Sequence, residues 1–500
     1  MRIKNTLRDF LISLTLANLI MMKVWLSIFP FRADQAFYLE HSQGVVYVAT
    51  LMSTLIIAVA FWSIMSIATR WQKFEKRIWL FIYVTTIVFC LNGIRAGNNY
   101  SLELIYSILG MWGTVIVGLL LVVGAGYLIF RYRDVFVQKY SSRVLILSPF
   151  LVFTFGQSLL ALSKVEPESA FSTHAYKNLQ PVERPNAIPV IWIIFDELDY
   201  RIAFGHRPKT LLLPELDKLE QTSLSASKAY SPGGGTMISI PELLTGKVLK
   251  SSTPLSANKI KLIGLDGKAS NFLTDETIIA DMKERGKKTA IFGWYFPYNR
   301  LFQTVDVSKS YSLNPTLVGL AETIAHQLRS LIESRVTFNK HHISITVAMQ
   351  HDVIHFLQTF QRGFVFLHYP VPHGDFIYNR NTKKYCQNLN LKEGYLDNVA
   401  LTDRLLGEVR ATMEQSGTWD KSLVIVSADH HWRWNTYDGV TDTFHVPFLV
   451  KLPGQKDSLS LSSRFETLNT KEMILNVIDG KIKTPEELKK WIQNKPQITE

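Results

Sequence analysis

Five apolar stretches crowd the first third of this chain: Phe10–Phe31, Gly44–Ala68, Ile78–Asn92, Leu102–Phe130 and Val144–Leu162. A helix covers the hydrocarbon of a bilayer with about 20 apolar residues. Five such runs in succession predict a five-helix transmembrane domain over residues 1–162. The third run is short and the fourth long, so their ends stay open. Lys23 puts a charge inside the first run, within reach of an interface by snorkelling.

The connecting segments set an orientation. Arg2, Lys4 and Arg8 precede the first run. Arg70, Lys73, Lys76 and Arg77 follow the second, and Arg131, Arg133, Lys139 and Arg143 follow the fourth. The opposite segments hold little besides Arg32 and Arg95. Cytoplasmic loops collect Lys and Arg, so the N-terminus is expected in the cytoplasm and everything after Leu162 outside. The same segments account for most of the formal charge of +12, with eleven basic residues against Asp9, Glu75 and Asp134. The positive balance is therefore topological, and no nucleic-acid partner is expected. No small-residue cleavage site follows the first run, which reads as an anchor.

Residues 163–187, polar and punctuated by Pro167, Pro181 and Pro185, read as an exposed linker. Residues 188–500 are long enough for a core of their own. Cys90 lies in the third run and Cys386 in the external part, so that part is expected to fold without an internal disulfide. Its apolar runs "IPVIWIIF", "KKTAIFGW", "GFVFLHY", "SLVIVSA" and "HVPFLVKL" suit strands buried on both faces. They alternate with helical stretches, which predicts an α/β/α sandwich around a mainly parallel sheet.

Such sheets carry their chemistry beyond the carboxyl ends of the strands. The polar residues stand there: Asp196 and Glu197 after the first run, His368 and His373 around the third, and Asp429, His430 and His431 after the fourth. His445 precedes the fifth. Carboxylates and imidazoles together suit a divalent cation such as zinc or manganese. The stretch "SPGGGTMISIPELLTG" brings three glycines to Thr236 at the start of a helical segment. Gly235 and the helix start would offer N–H groups to an anion. Thr236 on the cation would be a nucleophile toward phosphorus, with Asp196, Glu197, Asp429 and His430 as its fellow ligands. His373 or His445 would bind the substrate or protonate a leaving group, and His368 reads as structural ahead of a metal ligand or a substrate contact. Pro241 moves the expected helix start toward Ser239.

The set "IIFDELDYR … GGGTMISIP … HYPVPHG … SADHHW … HVPFLVKLPGQ" resembles the alkaline phosphatase superfamily in its membrane-anchored, sulfatase-like branch, which holds phosphoethanolamine transferases and lipoteichoic acid synthases. The resemblance implies five membrane helices and an external catalytic domain in a bacterial inner (plasma) membrane. It also implies a first metal ligand at Asp196 or Glu197, a nucleophile at Thr236, and a metal pair at Asp429 and His430. His373 and His445 match histidines near the metal centre. The chain departs from the branch in its Asp-Glu pair, in His431 where Gly is usual, and in the absence of disulfides. No Cys-x-Pro-x-Arg type sequence is present, which disfavours the formylglycine chemistry of arylsulfatases.

The expected function is an integral-membrane transfer of a phospholipid head group, through phospho-Thr236, to an envelope glycan or lipid. Water as acceptor would make the same site a hydrolase. A transporter or scaffold with a degenerate external domain is a third reading. His351 and His355 of "HDVIH" lack a zincin glutamate and read as a solvated helix face, as do His341 and His342. Tyr395–Val409 reads as a core helix in which Asp403 is structural, and 314–361 as largely helical, inserted into the core or lying on the membrane.

Overall fold

The computed structural model describes residues 2–28, 43–68, 72–97, 142–163, 188–256, 258–272, 276–311, 319–331, 335–388, 390–433 and 444–495, with scattered positions between 113 and 131. The expected span Leu102–Phe130 and the linker beyond Ser163 lie outside the described residues. The chain forms two compact units, Met1–Phe171 with Thr316–Glu333, and Ser172–Pro315 with Ser334–Glu500.

The first unit is helical: α1 (Arg2–Ile20), α2 (Met22–Ile28), α3 (Gln43–Ala68), α4 (Gln72–Gly97) and α5 (Pro149–Leu162). Gly44–Ala68 and Arg77–Ile94 are long and apolar enough to cross a membrane. The first expected span is instead broken at Met21, where α1 and α2 meet at 60°. The last apolar helix, Val144–Leu160, is shorter, and its start is wound as a 3-10 segment over Ser142–Leu147. The described residues thus hold two helices long and apolar enough to span, or three if the bent pair is one span, where five runs are expected.

A helix from much later in the sequence, Leu320–Ser330, belongs to this unit. Its Gln327 is buried. The Gln327 amide donates to the Val46 carbonyl at 3.2 Å and to Thr50 Oγ1 at 2.8 Å, and accepts from Ser53 Oγ at 3.0 Å. Lys23 donates to the Ser330 carbonyl at 2.6 Å, a protein partner where snorkelling to an interface is expected. The segment expected as largely helical, inserted into the core or lying on the membrane, divides, with Leu320–Ser330 in the helical unit and the helix after it in the second.

That second unit is built on eight strands: β1 (Val190–Phe195), β2 (Leu224–Ala226), β3 (Thr289–Trp294), β4 (Val307–Tyr311), β5 (Phe364–Tyr369), β6 (Leu423–Ala428), β7 (Phe448–Lys451) and β8 (Leu459–Leu461). Their order is β8-β2-β7-β6-β1-β5-β3-β4. Only β7 runs antiparallel to its neighbours. All six β1 side chains are buried. Ile191, Ile193 and Phe195 enter a core completed by Met349 and Val353 of α7 (Arg335–Thr359) and by Val399 and Leu405 of α8 (Leu391–Gln415). Val190, Trp192 and Ile194 take the other face, since side chains alternate along a strand. Both faces are covered, which is why the run reads as continuously apolar. The expected α/β/α sandwich with a mainly parallel sheet is the fold observed.

Three local expectations are corrected or resolved. The helix α6 spans Thr236–Thr245 and starts at Thr236, not near Ser239; it passes through Pro241 by giving up one backbone bond. His342 is buried, stacked on Trp294 and bonded to the Pro370 carbonyl at 3.1 Å, so it is not on a solvated face. Asp403 caps a neighbouring helix, accepting from the amides of Glu215 and Leu216 at 3.0 and 2.7 Å.

Candidate active site

Strand register assembles the site. Phe195 pairs with Ala428 across β1 and β6, so Asp196 and Asp429 leave adjacent parallel strands at one level. His368 of β5 pairs with Ile194, one step back on the other side of β1. The glycine run then delivers Thr236 to the same place. Gly233 is the glycine that the close approach requires: a Cβ there would stand 2.5 Å from Ile238 Cγ2 and 2.9 Å from Ser239 Oγ. Gly235 is extended and forms the N-cap of α6.

Thr236 Oγ1 donates to Asp196 Oδ2 at 3.2 Å and lies 3.2 Å from His430 Nε2. His430 Nδ1 is 2.9 Å from the His431 carbonyl, which can only accept, so the Nε2 lone pair faces the threonine. Asp429 Oδ1 accepts from the amides of Glu197 and His430 at 3.2 and 2.8 Å. Three buried atoms have no hydrogen-bond partner: Asp196 Oδ1, Asp429 Oδ2 and His368 Nε2. Asp196, His368 and Asp429 each offer an atom lying within 4.8 Å of the others. His368 Nδ1 meets Tyr298 Oη at 2.8 Å, which fixes the ring with Nε2 toward the carboxylates.

The electrostatics point the same way. Burial, then the charges of Asp429 and Glu197, raise the Asp196 carboxyl well above the usual carboxylate range. Burial also raises Asp429, against the favourable field of His368. Burial pushes the His430 imidazole down to about 3 and that of His368 to about 4, so both are neutral bases with lone pairs. Paired carboxylates and neutral imidazoles with orphaned lone pairs are stabilised together by a cation. Oxygen and nitrogen donors of this mixture fit zinc or manganese. Asp196, Asp429, His430, His368 and Thr236 would hold it.

The other expected site residues divide. Glu197, expected as a rival or second ligand, is buried with φ +65°, and its Oε1 accepts from Arg433 Nε at 2.8 Å. Its own carbonyl accepts from Tyr395 Oη at 2.6 Å, and the Tyr395 ring stacks on Trp432 at 3.9 Å. His373 stands beside the pair, with Nε2 3.4 Å from Arg433 Nη2. His445, expected near the substrate, is held between the rings of Tyr200 and Tyr230 at 4.3 and 5.1 Å, and its Nε2 meets the Ser227 carbonyl at 3.0 Å. Arg433 is a residue that the sequence reading passes over. Its one signal is a cation four positions after Asp429, in a segment otherwise read for its histidines. His368, read as structural ahead of a metal ligand or a substrate contact, falls among the candidate ligands.

Residues 189–479 match the Sulfatase family profile, more than half of the chain. None of the curated proteins matches the sequence. Among solved structures, i-CgsB in complex with k-i-k-neocarrahexaose is similar over 60% of this chain and 74% of its own, at 16% identity and a TM-score of 0.44. The phosphonate monoester hydrolase of Agrobacterium radiobacter is similar over 58% and 74%, at 13% identity and a TM-score of 0.41. The PsFucS1 sulfatase from Pseudoalteromonas sp. is similar over 58% and 68%, at 14% identity and a TM-score of 0.41.

Proposed function

This chain belongs to the sulfatase family of the alkaline phosphatase superfamily, and on that premise we propose that it is a membrane-anchored, metal-dependent phosphotransferase. The observation that carries the reading is the hydroxyl of Thr236, 3.2 Å from both Asp196 Oδ2 and His430 Nε2, beside the orphaned atoms of Asp429 and His368. A divalent cation bound there supplies Lewis acidity toward an alcohol and a phosphoryl oxygen.

The residues of the chain supply the rest. Asp196 accepts the Thr236 hydroxyl hydrogen and is the base at hand for it. Thr236 Oγ forms a bond to phosphorus while the bond to the donor's alcohol oxygen breaks, and that oxygen leaves as the alcohol, taking its proton from His373 or from water. The phospho-Thr236 ester is then attacked by an acceptor hydroxyl, and the threonine regains its proton. The first N–H groups of α6 face the developing charge on the non-bridging oxygens.

The donor in this reading is a phospholipid and the acceptor an envelope glycan or lipid, in the extracytoplasmic leaflet of a bacterial inner membrane. Helices able to cross a bilayer support it, because anchoring raises the effective concentration of a lipid donor. Membership of the sulfatase family, named for hydrolysis, favours a second reading, in which water is the acceptor and the enzyme is a hydrolase. Threonine at the nucleophile position does not suit formylglycine-dependent sulfate hydrolysis.

Intact-mass analysis of the protein incubated with head-group-labelled phospholipid tests the reading. A phosphoester adduct on Thr236, lost in Thr236→Ala, is expected. Label found in a glycan or lipid product marks the transferase, and label released to water marks the hydrolase. Turnover undiminished in Thr236→Ala contradicts both.

A further inference from the structure

Arg433 is placed where a transferred anion must sit. It follows Asp429 by four residues, so the segment that carries the candidate ligand carries the guanidinium too. Glu197 holds Nε at 2.8 Å, and that carboxylate is itself buried and fixed through its backbone by Tyr395 and Asp429. One edge of the guanidinium is thus anchored. The side chain is nonetheless 46% exposed, which leaves its other face open to solvent and to a substrate. Nη1 is 3.9 Å from where a Cβ on Gly235 would stand, directly before the nucleophile. Nη2 is 3.4 Å from His373 Nε2.

Charge points to a task for this arrangement. Asp196, Glu197 and Asp429 bring three carboxylates to the site, and Arg433 returns one positive charge. A phosphoryl group adds further negative charge, and the donor with geometry for two of its oxygens is the arginine fork. We propose that Arg433, fixed by Glu197, grips the non-bridging oxygens of the phosphoryl group on its way to Thr236. Arg433 is then a substrate-binding residue, Glu197 a positioning residue, and the paired Asp-Glu of the sequence divides its labour between cation and arginine. The assignment rests on the phosphoryl-transfer reading above.

The test uses the full chain in nanodiscs, with inorganic phosphate as probe. Bound metal is counted by elemental analysis and phosphate affinity is measured by calorimetry, for wild type, Arg433→Ala, Arg433→Lys and Glu197→Gln. Wild type is expected to hold a divalent cation and to bind phosphate. Arg433→Ala should keep the cation and lose phosphate affinity by about 10- to 100-fold, the worth of hydrogen bonds to a charged group. Arg433→Lys should recover part of that loss, and Glu197→Gln should fall between Arg433→Lys and Arg433→Ala. Unchanged phosphate affinity in Arg433→Ala with its cation bound overturns the assignment. Loss of the cation in Arg433→Ala overturns it as well, since the arginine then supports the metal. A wild type that holds no cation sinks the metal-dependent reading itself, a result distinct from either.

Discussion

Two buried polar clusters, one in each unit, show how buried polar groups serve opposite ends. In the helical unit Gln327 is enclosed and both ends of its amide are engaged, by Val46, Thr50 and Ser53. In the sheet unit Asp196, Asp429 and His368 are as deeply buried, yet each points an unpartnered atom at the others. Burying a polar group costs free energy unless a partner replaces water. A cluster that closes on itself is structural, and one that leaves convergent lone pairs open is made for something else. The difference separates a helix-packing device from a candidate catalytic centre.

The largest effect that sharpens this contrast is expected at the nucleophile. Thr236→Ala should lower turnover of the labelled phospholipid by about a million-fold, as removal of a nucleophile does elsewhere. Full-length melting should barely move, because the hydroxyl is not a packing group. Next in size is Gly233→Val. A side chain there collides with Ile238 at the start of α6, so Thr236 shifts. A displacement of about 1 Å costs on the order of 100-fold in rate, while metal content measured on the purified variant should stay near wild type.

Smaller effects belong to groups outside the site. Glu242 of α6 is buried, accepts from the Leu249 amide with Oε1, and leaves Oε2 unpartnered. Burial raises its carboxyl to about 7. Raised in the folded state, it stabilises fully below its ordinary range near 4.5, and that contribution fades as pH climbs through 7. Glu242→Gln should therefore flatten the fall in melting temperature between pH 4.5 and 8, a difference of about 3 kcal/mol at the alkaline end. At the low end Gln327→Leu strands Thr50 and Ser53 and should cost about 1 kcal/mol in the helical unit. Its chemical step should be unaltered, as read from single-turnover kinetics. A comparable collapse of turnover in Gln327→Leu and Thr236→Ala would erase the distinction between the clusters.

Sequence reached the sheet and the nucleophile region because both are written in local pattern. Runs such as Val190–Phe195 are apolar on both faces, and Asp196 and Asp429 follow such runs at once. What it could not reach depends on orientation. His368 sits inside an apolar strand, and only the bond from Nδ1 to Tyr298 reveals a free Nε2. Asp196 and Glu197 are neighbours in sequence, and the positive φ of Glu197 sends its carboxylate to Arg433. His445 looked available until Tyr200 and Tyr230 enclosed it. The membership of Leu320–Ser330 in the helical unit rests on contacts some 270 residues back, between Gln327 and Ser53, at a separation of 274, which no local window contains.

The most direct measurement is anomalous X-ray diffraction from crystals of the full chain, recorded at the zinc and manganese absorption edges. An anomalous peak within coordination distance of Thr236 Oγ1, Asp196, Asp429 and His430 is the result expected. No peak there in metal-replete crystals, or one bound elsewhere with Thr236 out of its reach, would contradict a cation-activated threonine.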